Sequence, residues 1–338
     1  MLLLFPFNRS FYSITKYDYY QNNIDNFFFY DILNSVFIHL KYTEAIYLMK
    51  VNKAVFPAAG LGTRLLPITK SIPKEMLVLV DKPLIQYGVE ECIGADITDI
   101  IIITGRGKTA IEDYFDRSIE HEILLKEKGK HHLLKSVDEI ASRISLTYTR
   151  QKEALGLGHA ILCAQNMVGE EPFAVVLSDD IIDSDTPVMK QMVDIYKNFR
   201  YSVLAVQRVK DEDVSKYGII RGKEIEKGLY AVEDLVEKPD LKEAPSNLAI
   251  IGRYILMPDI FGFLKDTKPG KGGEIQLTDA IKSLLQIQPV YALEFEGNRY
   301  DGGNKLDLLK AQIIYGLKND EIRSGLIEFI VKSEWCRN

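Results

Sequence analysis

The chain has 338 residues, 46% of them hydrophobic, and a formal net charge of −6. Such a chain can build one large α/β domain, or one domain with a small appendage, and it is too apolar to stay unfolded. Its acidic balance excludes tracking a nucleic-acid backbone, and three scattered cysteines, Cys92, Cys163 and Cys336, form neither a disulfide framework nor a thiolate metal site, which suits a reducing cytoplasm.

Residues 1–48 are rich in Phe and Tyr, lack glycine, and hold no steady helical or strand period. The apolar run after Phe27 is broken by Asp31, Asn34 and His39, short of the roughly 18–20 residues a membrane span needs. No basic residue precedes Leu2-Leu3-Leu4-Phe5, so a secretory signal is not expected either. The natural start is expected at Met49, with residues 1–48 an N-terminal extension outside the fold and 49–338 one domain. A peripheral anchor is the alternative for the extension.

From Val51 onward, β-type runs alternate with helical patterns, the mark of a sheet covered on both faces. Lys53–Ala58 is the first strand. It breaks at Ala59 into Gly60 and Gly62, followed by Thr63, Arg64, Pro67, Pro73 and Lys74. A loop without Cβ atoms at its tight points lets backbone N–H groups close on a phosphate, and two cations can neutralise a polyphosphate. The dinucleotide fingerprint G-x-G-x-x-G fails because Leu65 stands at its third glycine, and no Gly-Lys-Ser/Thr follows to make a P-loop.

Ile97–Thr104 is a strand buried on both sides, and Lys108–Phe115 is its helix. Residues 118–140 form a charged segment, expected as a surface helical pair. Ile144–Thr149, Phe173–Leu177 and Ser202–Gln207 are strands, with helices opening at Gly158 and over Val188–Phe199. Tyr217 to Tyr254 carries several β-type runs. Leu277–Leu285 is amphipathic, Val290–Phe295 is a strand, and a long helix follows Asn304. Its stripe of Leu306, Leu309, Ile313, Ile314 and Leu317 faces either the fold or another subunit.

Ligands in open α/β sheets bind beyond the carboxyl ends of strands. Asp179, directly after Val175-Val176-Leu177, is placed to hold Mg²⁺ over phosphate oxygens, and Asp301 is the second candidate. Asp180 and Asp183 are alternatives close in sequence.

The segment Gly60 to Met76 resembles the signature G-x-G-T-R-x-x-P-x-T-x-x-x-P-K-x-M of the sugar-1-phosphate nucleotidyltransferases. Glu237-Lys238-Pro239, Tyr217-Gly218, and Gln151 with Gly156-Leu157-Gly158-His159-Ala160 extend the likeness in family order. Val80-Asp-Lys-Pro-Leu-Ile-Gln-Tyr87, residues 244–254 and Glu274-Ile-Gln-Leu-Thr-Asp-Ala280 are most similar to the uridylyl-transferring bacterial UTP–glucose-1-phosphate branch. Gly273, Ser178 and Asp180 depart from the usual pattern. The likeness runs from Met49 to about Leu317.

It implies a Rossmann-like, mixed, mostly parallel sheet flanked by helices, with a smaller sugar-binding β region and C-terminal helices. It also implies an enzyme joining UTP and glucose 1-phosphate, with Mg²⁺ on Asp179 and Asp301, in a cytoplasmic dimer or tetramer. Arg64 and Lys74 take the catalytic roles in this comparison. Ala59, Gly60, Gly62, Gln151 and Gly158 bind the nucleotide; Gly218, Glu237 and Lys238 bind the sugar phosphate. The alternatives are a thymidylyltransferase and a catalytically silent regulatory subunit that binds a nucleotide sugar. Neither a nucleic acid nor a membrane is an expected partner.

Overall fold

The structure is a computed structural model and describes residues 50–131, 133 and 140–333. The expectation for residues 1–48 lies outside the described residues, as do residues 132 and 134–139 of the charged segment.

The first strand, β1 (Lys53–Pro57), precedes a short hairpin of β2 (Val78–Leu79) and β3 (Lys82–Pro83). Next come β4 (Asp99–Thr104), β5 (Ser145–Arg150), β6 (Phe173–Val176), β7 (Asp180–Asp183) and β8 (Ser202–Arg208). Three nine-residue strands follow, β9 (Gly218–Glu226), β10 (Leu229–Glu237) and β11 (Leu248–Leu256), then β12 (Val290–Glu294) and β13 (Asn298–Asp301). Nine of them make one sheet in the order β5-β4-β1-β6-β11-β8-β12-β10-β9. The run β5-β4-β1-β6 is parallel, as is β8-β12, and the remaining neighbours are antiparallel. One further pairing, Ala249 with Ile219, ties β9 back to β11.

The apolar sequence of the central strands follows from burial on both faces. Ala54, Phe56, Ile100 and Ile102 enter one core, while Val55, Ile101 and Ile103 enter the other. The first core takes Ile85, Val89 and Cys92 from the helix Leu84–Ile93, and Met189, Met192 and Tyr196 from the helix Val188–Phe199. Pro187 precedes that second helix and Arg200, at φ 59°, ends it in the left-handed region. Helices Leu157–Leu162, Ile260–Asp266 and Leu277–Leu284 cover the opposite core. Full burial of a side chain such as Phe56 or Ile102 contributes roughly 1.5–3 kcal/mol.

In the charged segment the helix Ile119–Glu127 is present, pinned by a bidentate Arg117 to Glu122 contact of 3.0 and 2.7 Å. The last expected helix spans Lys305–Lys318, capped by the Asn304 side chain, which accepts from the Leu306 and Asp307 amides. It buries Ala311 and Gly316 and leaves Leu306, Leu309 and Ile313 exposed, so part of the apolar stripe does not face this chain's core. A helix unforeseen in sequence, Arg323–Lys332, packs Leu326 toward Gly316. Among the described residues no helix is long and apolar enough to cross a membrane.

Parallel pairing has one consequence for function. It puts the carboxyl ends of β1, β5 and β6 on the same edge, where the glycine loop, Gln151 and Asp179 emerge.

Candidate active site

Two cavities meet at that edge. One, about 530 Å³, is lined by Ala59, Gly60, Gly62, Lys74, Gln151 and Gly156; the other, about 860 Å³, by Arg64, Gly218, Glu237, Lys238, Thr278 and Asp301. Asp179 lines both. Of the expected nucleotide residues, Ala59, Gly60, Gly62 and Gln151 thus fall on one side of Asp179, Gly158 lines neither cavity, and the expected sugar residues fall on the other side.

The glycine loop owes its shape to local sterics. Gly62 sits at φ +65°, and a Cβ there would lie 3.1 Å from Thr69 Cγ2 and 3.3 Å from Lys74 Cβ. The Thr69 hydroxyl donates to the Gly62 carbonyl at 2.8 Å, closing the loop on itself. Gly60 faces open space, which leaves its backbone approachable.

Asp301 reaches Asp179 through a pairing that sequence reasoning missed. Strand β13 pairs antiparallel with β7, setting Asp301 opposite Asp180, and the Gly302 amide donates to the Asp179 carbonyl at 2.6 Å. Both carboxylates then converge on one guanidinium: Arg64 donates to Asp301 at 2.9 Å and to Asp179 at 3.3 Å. Lys74 donates to Asp179 at 2.7 Å. Burial by itself pushes the Asp179 carboxyl upward, but Lys74 and Arg64 outweigh it and hold the group below its usual range. Burial likewise pulls Lys74 toward its neutral form, and Asp179 and Glu75 reverse that, leaving its pKa above the ordinary lysine value.

The two acids fit a cation, since they already share a positive guanidinium. A pair of carboxylates that leaves positions for phosphate and water suits Mg²⁺. Asp180 and Asp183 are engaged elsewhere, which corrects their standing as alternative ligands. Asp180 accepts from Arg299 and, at 3.0 Å, from the Gly252 amide; Asp183 accepts from Lys318.

In the second cavity, β9 and β10 put Gly218 opposite Glu237. A Cβ at Gly218 would crowd Thr278 Oγ1 and Glu237 Oε2 at 2.9 and 3.1 Å, so the glycine keeps Glu237 accessible. Thr278 donates to Glu237 Oε2 at 2.7 Å and Lys238 pairs with Oε1 at 3.1 Å, fixing the carboxylate from two sides. Lys238 holds φ 45°, a left-handed conformation uncommon outside glycine that turns the chain immediately after Glu237.

Gly158 differs from its expected role. Its N–H donates to the Ile275 carbonyl at 2.9 Å and is not available to a base. A Cβ there would lie 2.7 Å from that carbonyl, so the glycine permits close packing behind the cavity wall.

Two buried polar networks also lay beyond sequence reasoning. Arg253, fully buried, donates to Glu91 at 2.8–3.1 Å and to the carbonyls of Leu177, Gly252 and Asp180, stapling the segment that carries Asp179. Lys108 donates to Glu75 at 2.8 Å behind Lys74. Burial raises the Glu75 carboxyl and lowers the Lys108 ammonium, each only partly offset by its partner.

Gly303 supports Arg64 by lacking a side chain. A Cβ there would overlap the guanidinium. Gly303→Ala is therefore expected to expel Arg64 from the two acids and lower kcat about 10²-fold, the scale of a displaced positioning group. Because the Arg64 side chain is 59% exposed, chemical denaturation should give a near-native stability. Unchanged kcat would contradict this role.

Comparisons with known proteins follow the same outline. A family model described as nucleotidyl transferase matches residues 53–316. The UTP–glucose-1-phosphate uridylyltransferase YngB of Bacillus subtilis (strain 168) is 54% identical over 281 residues, covering 83% of this chain and 95% of the relative. A solved UDP-glucose pyrophosphorylase complexed with UDP-glucose superposes with a TM-score of 0.74 at 49% identity, covering 80% of this chain and 100% of that one. A putative glucose-1-phosphate thymidylyltransferase from Bacillus anthracis superposes with a TM-score of 0.61 at 27% identity, covering 78% and 94%. With the glycine loop, the paired acids and the matched span in agreement, this chain belongs to the nucleotidyl transferase family.

Proposed function

We propose that this chain transfers a uridylyl group from UTP to glucose 1-phosphate, giving UDP-glucose and pyrophosphate. The observation that carries the reading is Asp179 at the junction of two cavities, gripped by Lys74 on one side and joined to Asp301 through Arg64 on the other. The greater identity to uridylyltransferases than to the thymidylyltransferase, 54% and 49% against 27%, favours UTP over dTTP.

The reaction is an in-line displacement. A phosphate oxygen of glucose 1-phosphate forms a bond to the α-phosphorus of UTP as the bond to the β-phosphate oxygen breaks. The attacking oxygen is already anionic and needs no general base, so catalysis rests on position and charge. Ala59, Gly60 and Gly62 cradle the triphosphate, and Gln151 meets the pyrimidine. Arg64 and Lys74 neutralise the charge that grows on the departing pyrophosphate. Lys238 steers the sugar phosphate, and Glu237, fixed by Thr278, accepts from sugar hydroxyls. Asp179 and Asp301 would hold a divalent cation, Mg²⁺ in our reading, which screens charge between the two substrates when bound.

Offering UTP and dTTP side by side with glucose 1-phosphate tests this reading. UDP-glucose is expected to dominate, with pyrophosphate equal to total product. The two bases differ by one methyl, worth roughly 1–3 kcal/mol in a pocket, so some dTDP-glucose is compatible. Predominant dTDP-glucose, or nucleotide-sugar binding without pyrophosphate, would overturn the assignment in favour of its rivals.

A further inference from the structure

His159, which the proposed mechanism leaves unused, contacts the residue that meets the base. Gln151 follows β5, and its backbone N–H donates to the Thr104 carbonyl at 2.9 Å, so the main chain is fixed in the sheet. Its side chain is nearly buried and lines the nucleotide cavity. The amide nitrogen donates to the Gly156 carbonyl at 3.1 Å and to His159 Nδ1 at 2.9 Å.

A carboxamide nitrogen has two hydrogens, and these two acceptors use both. The Gly156 carbonyl can only accept, which settles which end of the amide faces it. His159 Nδ1 must then accept as well, with the imidazole proton on Nε2. Among the described residues no donor meets Gln151 Oε1. The wall therefore presents an acceptor.

We infer that His159 is a positioning residue that locks the Gln151 amide with its oxygen toward the base, and so selects UTP against CTP. This rests on the reading of Gln151 as the base contact. Uracil carries N3–H, a donor that a glutamine oxygen accepts. Cytosine carries a lone pair at N3, which the same oxygen repels. Thymine shares N3–H with uracil, so the lock acts on cytosine alone. Without Nδ1 the amide is held by the Gly156 carbonyl alone, so turning it over to expose N–H groups that suit cytosine costs one hydrogen bond less than in the wild type. Discrimination then comes from repulsion built into the wall as much as from attraction.

The geometry around Gly156 strengthens the lock. This residue sits at φ +94°, and a Cβ there would lie 2.6 Å from Glu274 Cβ and 3.1 Å from the Ile275 amide. Its carbonyl is held in place by that packing. His159 occupies the helix Leu157–Leu162 one turn beyond, where Gly158 anchors the backbone to Ile275.

Two variants separate the acceptor from the ring. His159→Phe keeps a ring and deletes Nδ1; His159→Asn deletes the ring and keeps an oxygen close to the Nδ1 position. Pyrophosphate release is measured with UTP and with CTP, each with glucose 1-phosphate. In His159→Phe the ratio of kcat/KM for UTP over CTP is expected to fall about tenfold, the scale of one lost hydrogen bond. His159→Asn is expected to stay within about twofold of the wild-type ratio. A merely structural histidine would lower both rates together and leave the ratio unchanged. An unchanged ratio in His159→Phe, or an equal fall in both variants, overturns the inference while leaving the proposed function standing. A wild-type chain that releases no pyrophosphate from UTP overturns both.

Discussion

Lys74→Ala is expected to lower kcat by about 10²–10³, the loss seen when one fixed donor to a developing charge is removed. The ammonium reaches Asp179 at 2.7 Å on the nucleotide side, and its pKa stays above the ordinary lysine value despite burial, so it is charged throughout the working range. The fold should tolerate the change, with a loss of about 1.5–3 kcal/mol in chemical denaturation, because Arg64 still meets Asp179. Asp179→Ala should cost turnover comparably by removing the carboxylate that Lys74 and Arg64 share and that would hold the proposed divalent ion. Circular dichroism and steady-state rates on both variants decide the matter. If stability and activity fall in equal measure in each, these residues hold the fold together and do not run the reaction.

The second large effect is on stability. Arg253→Leu is expected to destabilise the protein by about 3–5 kcal/mol, the penalty for breaking a buried ion pair from one side. The change leaves Glu91 buried without its cation and strips donors from the Leu177, Gly252 and Asp180 carbonyls. Dispersion regained by leucine does not replace those hydrogen bonds. Those carbonyls flank Asp179, so the same variant, assayed well below its melting point, should also need more Mg²⁺ for half-maximal activity. A urea midpoint within experimental error of wild type would refute the staple.

The sequence carried the sheet and the phosphate loop for a physical reason. Ile100 to Ile103 read as a doubly buried strand because both faces of β4 are covered, and Gly62 follows the apolar strand where a left-handed turn is needed. Asp179 was legible because it follows a strand end directly. Asp301 was legible as an acid beyond the Val290 strand, but its pairing route to Asp179 was not, since β13 is four residues long and its partner β7 equally short, too brief for periodicity to show.

Arg253, Glu91, Arg299 and Asp180 were not legible as a network. Each is a charged residue whose partner lies far along the chain, and one sequence holds no sign of that distance. Arg299 also stacks over Tyr217 and donates to its hydroxyl at 3.0 Å, so it ties Asp180 to the start of β9. Gly158 shows the reverse case. A motif glycine suggested a backbone contact to ligand, yet its amide is taken by Ile275. His159 was quoted in the motif without a role, because only the orientation of the Gln151 amide reveals what it accepts.

A single-turnover experiment with enzyme in excess over α-labelled UTP separates direct transfer between the two cavities from transfer through the protein. Without glucose 1-phosphate, no pyrophosphate and no label on the protein are expected. With glucose 1-phosphate and Mg²⁺, UDP-glucose and pyrophosphate are expected in equal amounts. Label retained on the protein, or pyrophosphate released before the sugar phosphate is added, would contradict direct transfer.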